Sequence, residues 1–264
     1  MAAWAKFKFY HVGNTMMGAG GSTLTATSTA SGDYSAAYIY NMLEVNSWKA
    51  ANTTTPMYIT FDGGSAPAIY NADFLAIIGH NLKTIAATIT LQYSTDNFAA
   101  DVNDAFTGFA PTADTVILKE FIAPGAKRYW RLKITGTLSA APYMAIAIWG
   151  NKVELDYASA SFDPYEQDVK AQVNLSHGGY VTGIHTQYTE RSLTLRFDDA
   201  DAALYAKVKT WWDTSGVKNF FVAWDTANNP TDVYLMRPDL RFSNPLKNGG
   251  LYRDISVQLK GRKE

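Results

Sequence analysis

Short alternations of apolar and polar residues, broken at Gly, Pro, Asn and Asp, dominate the chain from Tyr38 to Gly150. The segments MYITFD, FLAIIGH, ATITLQYS, TVILKEF, KRYWRLKIT and YMAIAIWG each read as a strand, and their even spacing predicts an antiparallel sandwich. In TITLQYSTD the alternation sets Ile89, Leu91 and Tyr93 on one face against Thr88, Thr90 and Gln92 on the other. In RYWRLKIT it turns Trp130, Leu132 and Ile134 to the core and leaves Tyr129, Arg131 and Lys133 outside. Before this region, WAKFKFYHV alternates as a strand, and the Gly-, Ser-, Thr- and Ala-rich GNTMMGAGGSTLTATSTASG that follows reads as an extended arm. Residues 1–35 are therefore expected to be a strand and arm, and residues 36–152 the sandwich.

The rhythm breaks at WGNKVELDYASASFDPYEQDV, where small and acidic residues and Pro164 interrupt it, so a second domain is expected over residues 153–264. There KAQVNLSHGGYVTGIHTQYTERSLTLRFD supplies strands with Gly178-Gly179 as a turn. A helix follows in DDADAALYAKVKTWWDTSG, with Asp198 and Asp199 as N-caps and Gly216 as the stop. Leu204, Val208, Trp211 and Trp212 recur at i, i+4, i+7 and i+8, an apolar stripe that predicts a helix lying on a sheet. NFFVAWD, DVYLMRPDL and YRDISVQLKG supply that sheet, in a β-β-α-β-β-β order whose core holds Leu204, Val208, Trp211, Trp212 and Trp224. The predicted fold is mostly β: a jelly-roll β-sandwich followed by a smaller β-rich α+β domain with one helix packed on a sheet.

Composition narrows the functions. The 264 residues suffice for two domains, at roughly 100–200 residues each. The formal net charge of -1 offers no surplus for a phosphate backbone, so no nucleic-acid partner is expected. With no cysteine the chain lacks disulfides, zinc-thiolate sites, iron–sulfur clusters and thiol nucleophiles. No segment approaches the ~20 apolar residues of a membrane-spanning helix, and MAAWAKFKFYHV lacks the pattern of a secretory signal, which points to a product made in the cytosol without membrane insertion.

Candidate chemistry is sparse. His80 ends LAIIGH beside Asn81, and the nearest carboxylate along the sequence, Asp73, gives it no obvious orienting partner, so it reads as a strand-end histidine of a binding scaffold. His177 and His185 flank a turn without metal-ligand spacing. The acidic DDAD lacks the glycine and terminal glutamate of a calcium loop and is explained by helix capping. GAGGST has neither the lysine of a phosphate loop nor the context of a dinucleotide fingerprint. No catalytic residue, metal ligand or cofactor is expected. Among the tryptophans, Trp48 in EVNSWKAANTTTP is flanked by polar, loop-forming residues. With His80 and Asn81 it forms the candidate ligand or interface set, the other reading of Trp48 being a plug of the sandwich.

VNSWKAAN, MYITFDGGSAPAI, LAIIGHNL, ATITLQYSTD and KRYWRLKIT, in this order, make the span from about Ala36 to Gly150 resemble the discoidin, galactose-binding-like jelly rolls. That resemblance implies a binding or architectural sandwich directed at glycans or lipids through loops at one end. The family's end-bridging cysteines are absent here. The final hundred residues, through RSLTLRFDDADAALYAKVKTWWDTSGVKNFFVAWD and LYRDISVQLKGRKE, are similar in style to distal tail and tail-tube-like proteins of tailed bacteriophages. Together these resemblances imply a non-enzymatic structural component of a phage tail, at the distal end or hub. It would be located in the virion, assemble as a homo-oligomeric ring and contact neighbouring tail proteins, with cell-surface glycan contact as an added function. Two alternatives stay open: a free carbohydrate-binding module, and a hydrolase whose carboxylates meet only in space.

Overall fold

A computed structural model describes residues 6–17, 21–64, 70–159, 161–239 and 241–262. In chain order the strands of the first part are β1 (Lys8–Tyr10), β2 (Thr23–Ala26), β3 (Trp48–Lys49), β4 (Met57–Asp62), β5 (Phe74–His80), β6 (Thr88–Ser94), β7 (Asn103–Asp104), β8 (Ile117–Glu120), β9 (Tyr129–Thr135), β10 (Tyr143–Gly150) and β11 (Val153–Glu154). There follow β12 (Gln167–Leu175), β13 (Val181–Ala200), the helix α1 (Ala202–Ser215), β14 (Phe220–Ala223), β15 (Val233–Pro238), β16 (Leu246–Lys247) and β17 (Tyr252–Arg262). The protein is mostly β, and it divides into two compact units: residues Tyr10–Val153, and the residues up to Phe9 together with those from Glu154 onward.

The first unit is an antiparallel sandwich of a four-stranded sheet, β3-β10-β5-β8, and a five-stranded sheet, β2-β4-β9-β6-β7. Alternation sets the faces of the second sheet. Along β4, Met57, Ile59 and Phe61 are buried, and they pair with Ile134, Leu132 and Trp130 of β9. The opposite positions Tyr129, Arg131 and Lys133 stay partly open. In β6 the alternation is less visible, because Thr90 and Gln92 on the outer face are themselves covered. The segment around Gly108 lies over Thr90, so close that a Cβ there would stand 2.5 Å from its Oγ1, and Gln92 is held between Arg131 and Asp104. Strands β5 and β10 are apolar almost throughout, as strands covered on both sides must be. A 3-10 turn at Ala36–Tyr40, with Ile39 fully buried, packs on β10.

The second unit is built on an eight-stranded sheet in the order β11-β1-β14-β15-β17-β13-β12, with β16 paired to β17. The aromatic core joins Phe9, Trp211 and Phe220, whose rings lie about 5 Å apart. Leu204, Val208 and Trp211 face this core from α1.

Three expectations need correction here. The helix is capped by Asp201, whose carboxylate accepts from the Leu204 amide at 2.8 Å, and not by Asp198 or Asp199. Asp198 and Asp199 belong to β13. Trp212 leaves the buried stripe, because it lies about 80° round the helix from Leu204. It is half-buried and stacks on Phe242 at 4.9 Å, and Ser215 takes the buried position in its place. The strand read in WAKFKFYHV is β1, an interior strand of the eight-stranded sheet, but the stretch after it, read as an arm, contains β2, the edge strand paired with β4. Its Gly/Ser/Thr composition reflects an exposed edge and not an unpaired segment. Residues 1–5 and 18–20 lie outside the described residues.

Burial makes the sandwich sensitive to acid. His11 is 1% exposed, and burial pulls its pKa down from 6.5 to about 4. A histidine with a depressed folded pKa binds protons more readily in the unfolded chain. Its contribution is therefore complete above about pH 6.5 and is lost as the pH falls from there towards 4. The expected loss is of order 3 kcal/mol, at about 1.4 kcal/mol per pH unit. Urea denaturation at stepped pH should show this slope, and His11→Gln should flatten it.

Candidate functional site

A surface depression of ≈ 720 Å³ opens at the ends of β5 and β10, where Met144 pairs with His80. Its lining includes Glu44, Asn81, Thr84, Asp114 and Tyr143. The backbone sets its floor. Gly79 adopts a left-handed φ of +67° and approaches Ala145 so closely that a Cβ would stand 2.7 Å from the alanine methyl. A side chain at this position would be strained and would clash, so glycine is required where β5 ends.

The turn after β5 is tied to Asp114, 30 residues further on. The Asp114 carboxylate accepts from the Lys83 amide at 2.7 Å, from the Thr84 amide at 3.2 Å and from the Thr84 hydroxyl. Burial pushes this carboxyl up, but the Thr84 hydroxyl and the two amides outweigh it and hold it below the usual range. Asp114 therefore stays ionised and fixes the rim. Asn81 ties the other side: its Nδ2 donates to the Ala141 carbonyl and its Oδ1 accepts from the Tyr143 amide, both at 3.0 Å.

His80 sits beneath, 3% exposed. The Leu82 amide donates to Nδ1 at 3.2 Å, so that nitrogen is unprotonated, and Nε2 donates to the Thr115 carbonyl at 2.8 Å. Burial lowers the pKa of this imidazole, opposed by the Thr115 hydrogen bond and by Asp114, whose Oδ1 lies 3.4 Å from Nδ1. Both ring nitrogens are thus engaged by main chain, and the ring braces the turn instead of facing a substrate.

Of the sequence candidates, His80 and Asn81 come together here and Trp48 does not reach solvent. Trp48 is fully buried, pairs across from Met144, and donates its indole N–H to the Ser28 carbonyl at 3.1 Å. Its polar neighbours mark the exposed side of a short edge strand and say nothing of the side chain on the other side. The groups that reach the surface were missed. Tyr143 is 39% exposed, and its hydroxyl has no hydrogen-bond partner among the described residues. Glu44 stands between the exposed Leu43 and Val45. These residues are far apart in sequence, and only the pairing of β5 with β10 brings His80, Asn81 and Tyr143 together. Among the described residues no cluster of three or more His, Asp or Glu side chains suits a metal ion. No helix among them is long and apolar enough to cross a membrane.

The remaining candidates belong to the second unit. Leu204, Val208 and Trp211 are buried in its core, and Trp212 and Trp224 are half-buried. Trp224 has the rings of Phe162 and Tyr165 edge-on at 6.1 and 6.3 Å.

No protein-family model and no curated protein matches the sequence. Solved structures with a similar arrangement over about half the chain include a GH29 fucosidase from Ruminococcus gnavus, with a TM-score of 0.44 and 12% identity. The match covers 53% of this chain and 27% of that one, so the similarity spans about a quarter of the fucosidase. Another is chitosan-binding module 1 of a chitosanase/glucanase from Paenibacillus sp. IK-5, at 0.39 and 18%, covering 51% of this chain and 97% of that one. A third is CpGH89CBM32-5 from Clostridium perfringens, solved with GalNAc-β-1,3-galactose, at 0.40 and 16%, covering 50% and 96%.

Proposed function

We propose that the sandwich is a carbohydrate-binding module, and that binding, not turnover, is its role. The observation that carries this reading is the depression at the ends of β5 and β10. It is open and prearranged, with a half-exposed tyrosine beside an ionised carboxylate, a hydroxyl and an amide that its own hydrogen bonds hold in place. An aromatic face for the C–H side of a sugar ring, next to fixed groups for its hydroxyls, is the usual chemistry of glycan recognition. His80 is committed to the main chain on both nitrogens and braces the site from below. Titration calorimetry of the full chain with neutral disaccharides is expected to give millimolar affinity, about −4 kcal/mol. Tyr143→Ala is expected to weaken it about tenfold by removing ~1–1.5 kcal/mol of ring contact. Equal affinity in the two proteins would count against the site.

A second reading, a ring-forming structural component of a phage tail that carries this module, is favoured by a different observation. The hairpin of β12 and β13 exposes an apolar face. Val169, Ala171, Val173 and Leu175 alternate along one side of β12, with Ile184 directly across from Val173 and Val181 across from Leu175. Val173, Leu175, Val181 and Ile184 are 51–66% exposed. Strand β12 is also the edge of its sheet, nine residues long and without proline. Such an edge invites pairing with another chain. Copies of this chain, joined head to tail about a rotation axis, would cover it and close a ring.

A further inference from the structure

The outer face of the five-stranded sheet holds a second prearranged group, separate from the depression and independent of the reading given to it. The guanidinium carbon of Arg131 lies over the ring of Tyr58 at 4.1 Å and over that of Phe98 at 3.9 Å. Its Nε donates to Gln92 Oε1 at 2.7 Å, and Gln92 Nε2 in turn donates to Asp104 Oδ1 at 2.6 Å. Strand pairing places Thr60, Arg131 and Gln92 in one row across β4, β9 and β6. Three neighbours thus fix the plane of the guanidinium, while its two terminal nitrogens have no acceptor among the described residues. Lys133, two residues along the same face and opposite Tyr58, makes no ion pair among the described residues. The other cation nearby, Arg128, is already held by Asp62 through two hydrogen bonds of 2.7 and 3.1 Å.

The loop that delivers Phe98 is strained. Asn97 and Phe98 both adopt left-handed backbone, with φ of 59° and 63°, a conformation that is strained for a bulky residue. The carboxylate of Asp96 pins the loop by accepting the amides of Ala99, Ala100 and Asp101. The strain sets the phenyl ring against Arg131.

We propose that this face binds the carboxylate of an acidic polysaccharide, with Arg131 as the fork and Lys133 as a second charge. A planar guanidinium whose side chain is already immobilised matches a carboxylate through two parallel hydrogen bonds and loses little entropy on binding. Tyr58, Phe98 and Tyr129 around it supply the ring faces and edges a uronic sugar needs. Two free cations are too few to track a nucleic-acid backbone.

The test is titration of the full chain with a short oligogalacturonate at low salt, with poly(dT) and a neutral galactan fragment as comparisons. Binding of the oligogalacturonate, weakening with added salt, is expected. Arg131→Gln should reduce affinity about tenfold or more, Arg131→Lys should not restore it, and Lys133→Gln should cost severalfold. Phe98→Ala, a change in a loop outside the sheet core, should also weaken binding, and an unchanged far-ultraviolet spectrum in each variant guards against misfolding. Tyr143→Ala should leave this affinity unchanged, which separates the face from the depression. The proposal is overturned by no binding, by equal affinity in Arg131→Gln and Phe98→Ala, by loss in Tyr143→Ala alone, or by tighter binding of poly(dT).

Discussion

Replacing Trp130 with alanine is expected to destabilise the sandwich by roughly 3–5 kcal/mol, the usual cost of emptying a buried aromatic site. Trp130 is fully buried in the middle of the five-stranded sheet, between Phe61 of β4 and Tyr93 of β6. Its indole N–H donates to the Tyr70 and Lys127 carbonyls at 3.1 and 3.3 Å, so truncation also strips a donor from two carbonyls that lie together. Trp212→Ala is the contrast: that ring is half-buried and stacks on Phe242, and its loss should cost clearly less. Urea denaturation followed by near-ultraviolet circular dichroism checks both, with separate transitions expected if the two units unfold independently. A cost below about 1 kcal/mol for Trp130→Ala would mean that the sandwich core is not organised around β9.

Val173→Glu combined with Ile184→Glu is expected to abolish self-association while leaving the fold unchanged. The two residues face each other across the β12–β13 hairpin and are 51% and 66% exposed, so the isolated chain gains little from their burial. In an assembly they would sit against another copy, and an unpaired carboxylate buried there costs several kcal/mol, enough to weaken association at least a hundredfold. Sedimentation velocity over a concentration series reads this directly. The wild-type chain should form a discrete oligomer and the double variant a monomer with an unchanged far-ultraviolet spectrum. A wild-type monomer at every concentration would remove the ring reading.

The strands were legible in the sequence wherever one face met the core and the other met water. In β9 the alternation of Trp130, Leu132 and Ile134 with Tyr129, Arg131 and Lys133 is the burial pattern of the folded strand. It was less informative in β6, because nothing in TITLQYS reports that the segment around Gly108 covers Thr90 or that Arg131 and Asp104 hold Gln92. The helix was legible from its apolar stripe, but its first residue was not, since three aspartates compete for the cap and only Asp201 lies beyond the end of β13, where its carboxylate accepts from the Leu204 amide. Of the two readings of Trp48, the buried plug of the sandwich is the one the fold takes, because alternation turns its polar neighbours, and not the indole, towards solvent.

The candidate sites were less legible than the fold. His80 and Asn81 could be singled out, but Asp114, which orders their turn, lies in a loop that sequence distance hides, and Tyr143 becomes a neighbour only through the β5–β10 register. Arg131 was read correctly as an outward residue. What sets it apart, its contacts with Tyr58, Phe98 and Gln92, comes from three other segments of chain. One signal was present in the sequence: an arginine on the solvent face of a strand, flanked by Tyr129 and Lys133 on that same face.

The most direct test of the central claim is binding of the purified full chain to a panel of immobilised glycans, with Tyr143→Ala run beside the wild type at the same concentration. The expected result is retention on a restricted set of sugars that share a terminal unit, with that retention lost in the variant. No retention on any glycan, or identical retention by both proteins, would contradict a carbohydrate-binding role for the depression at the ends of β5 and β10.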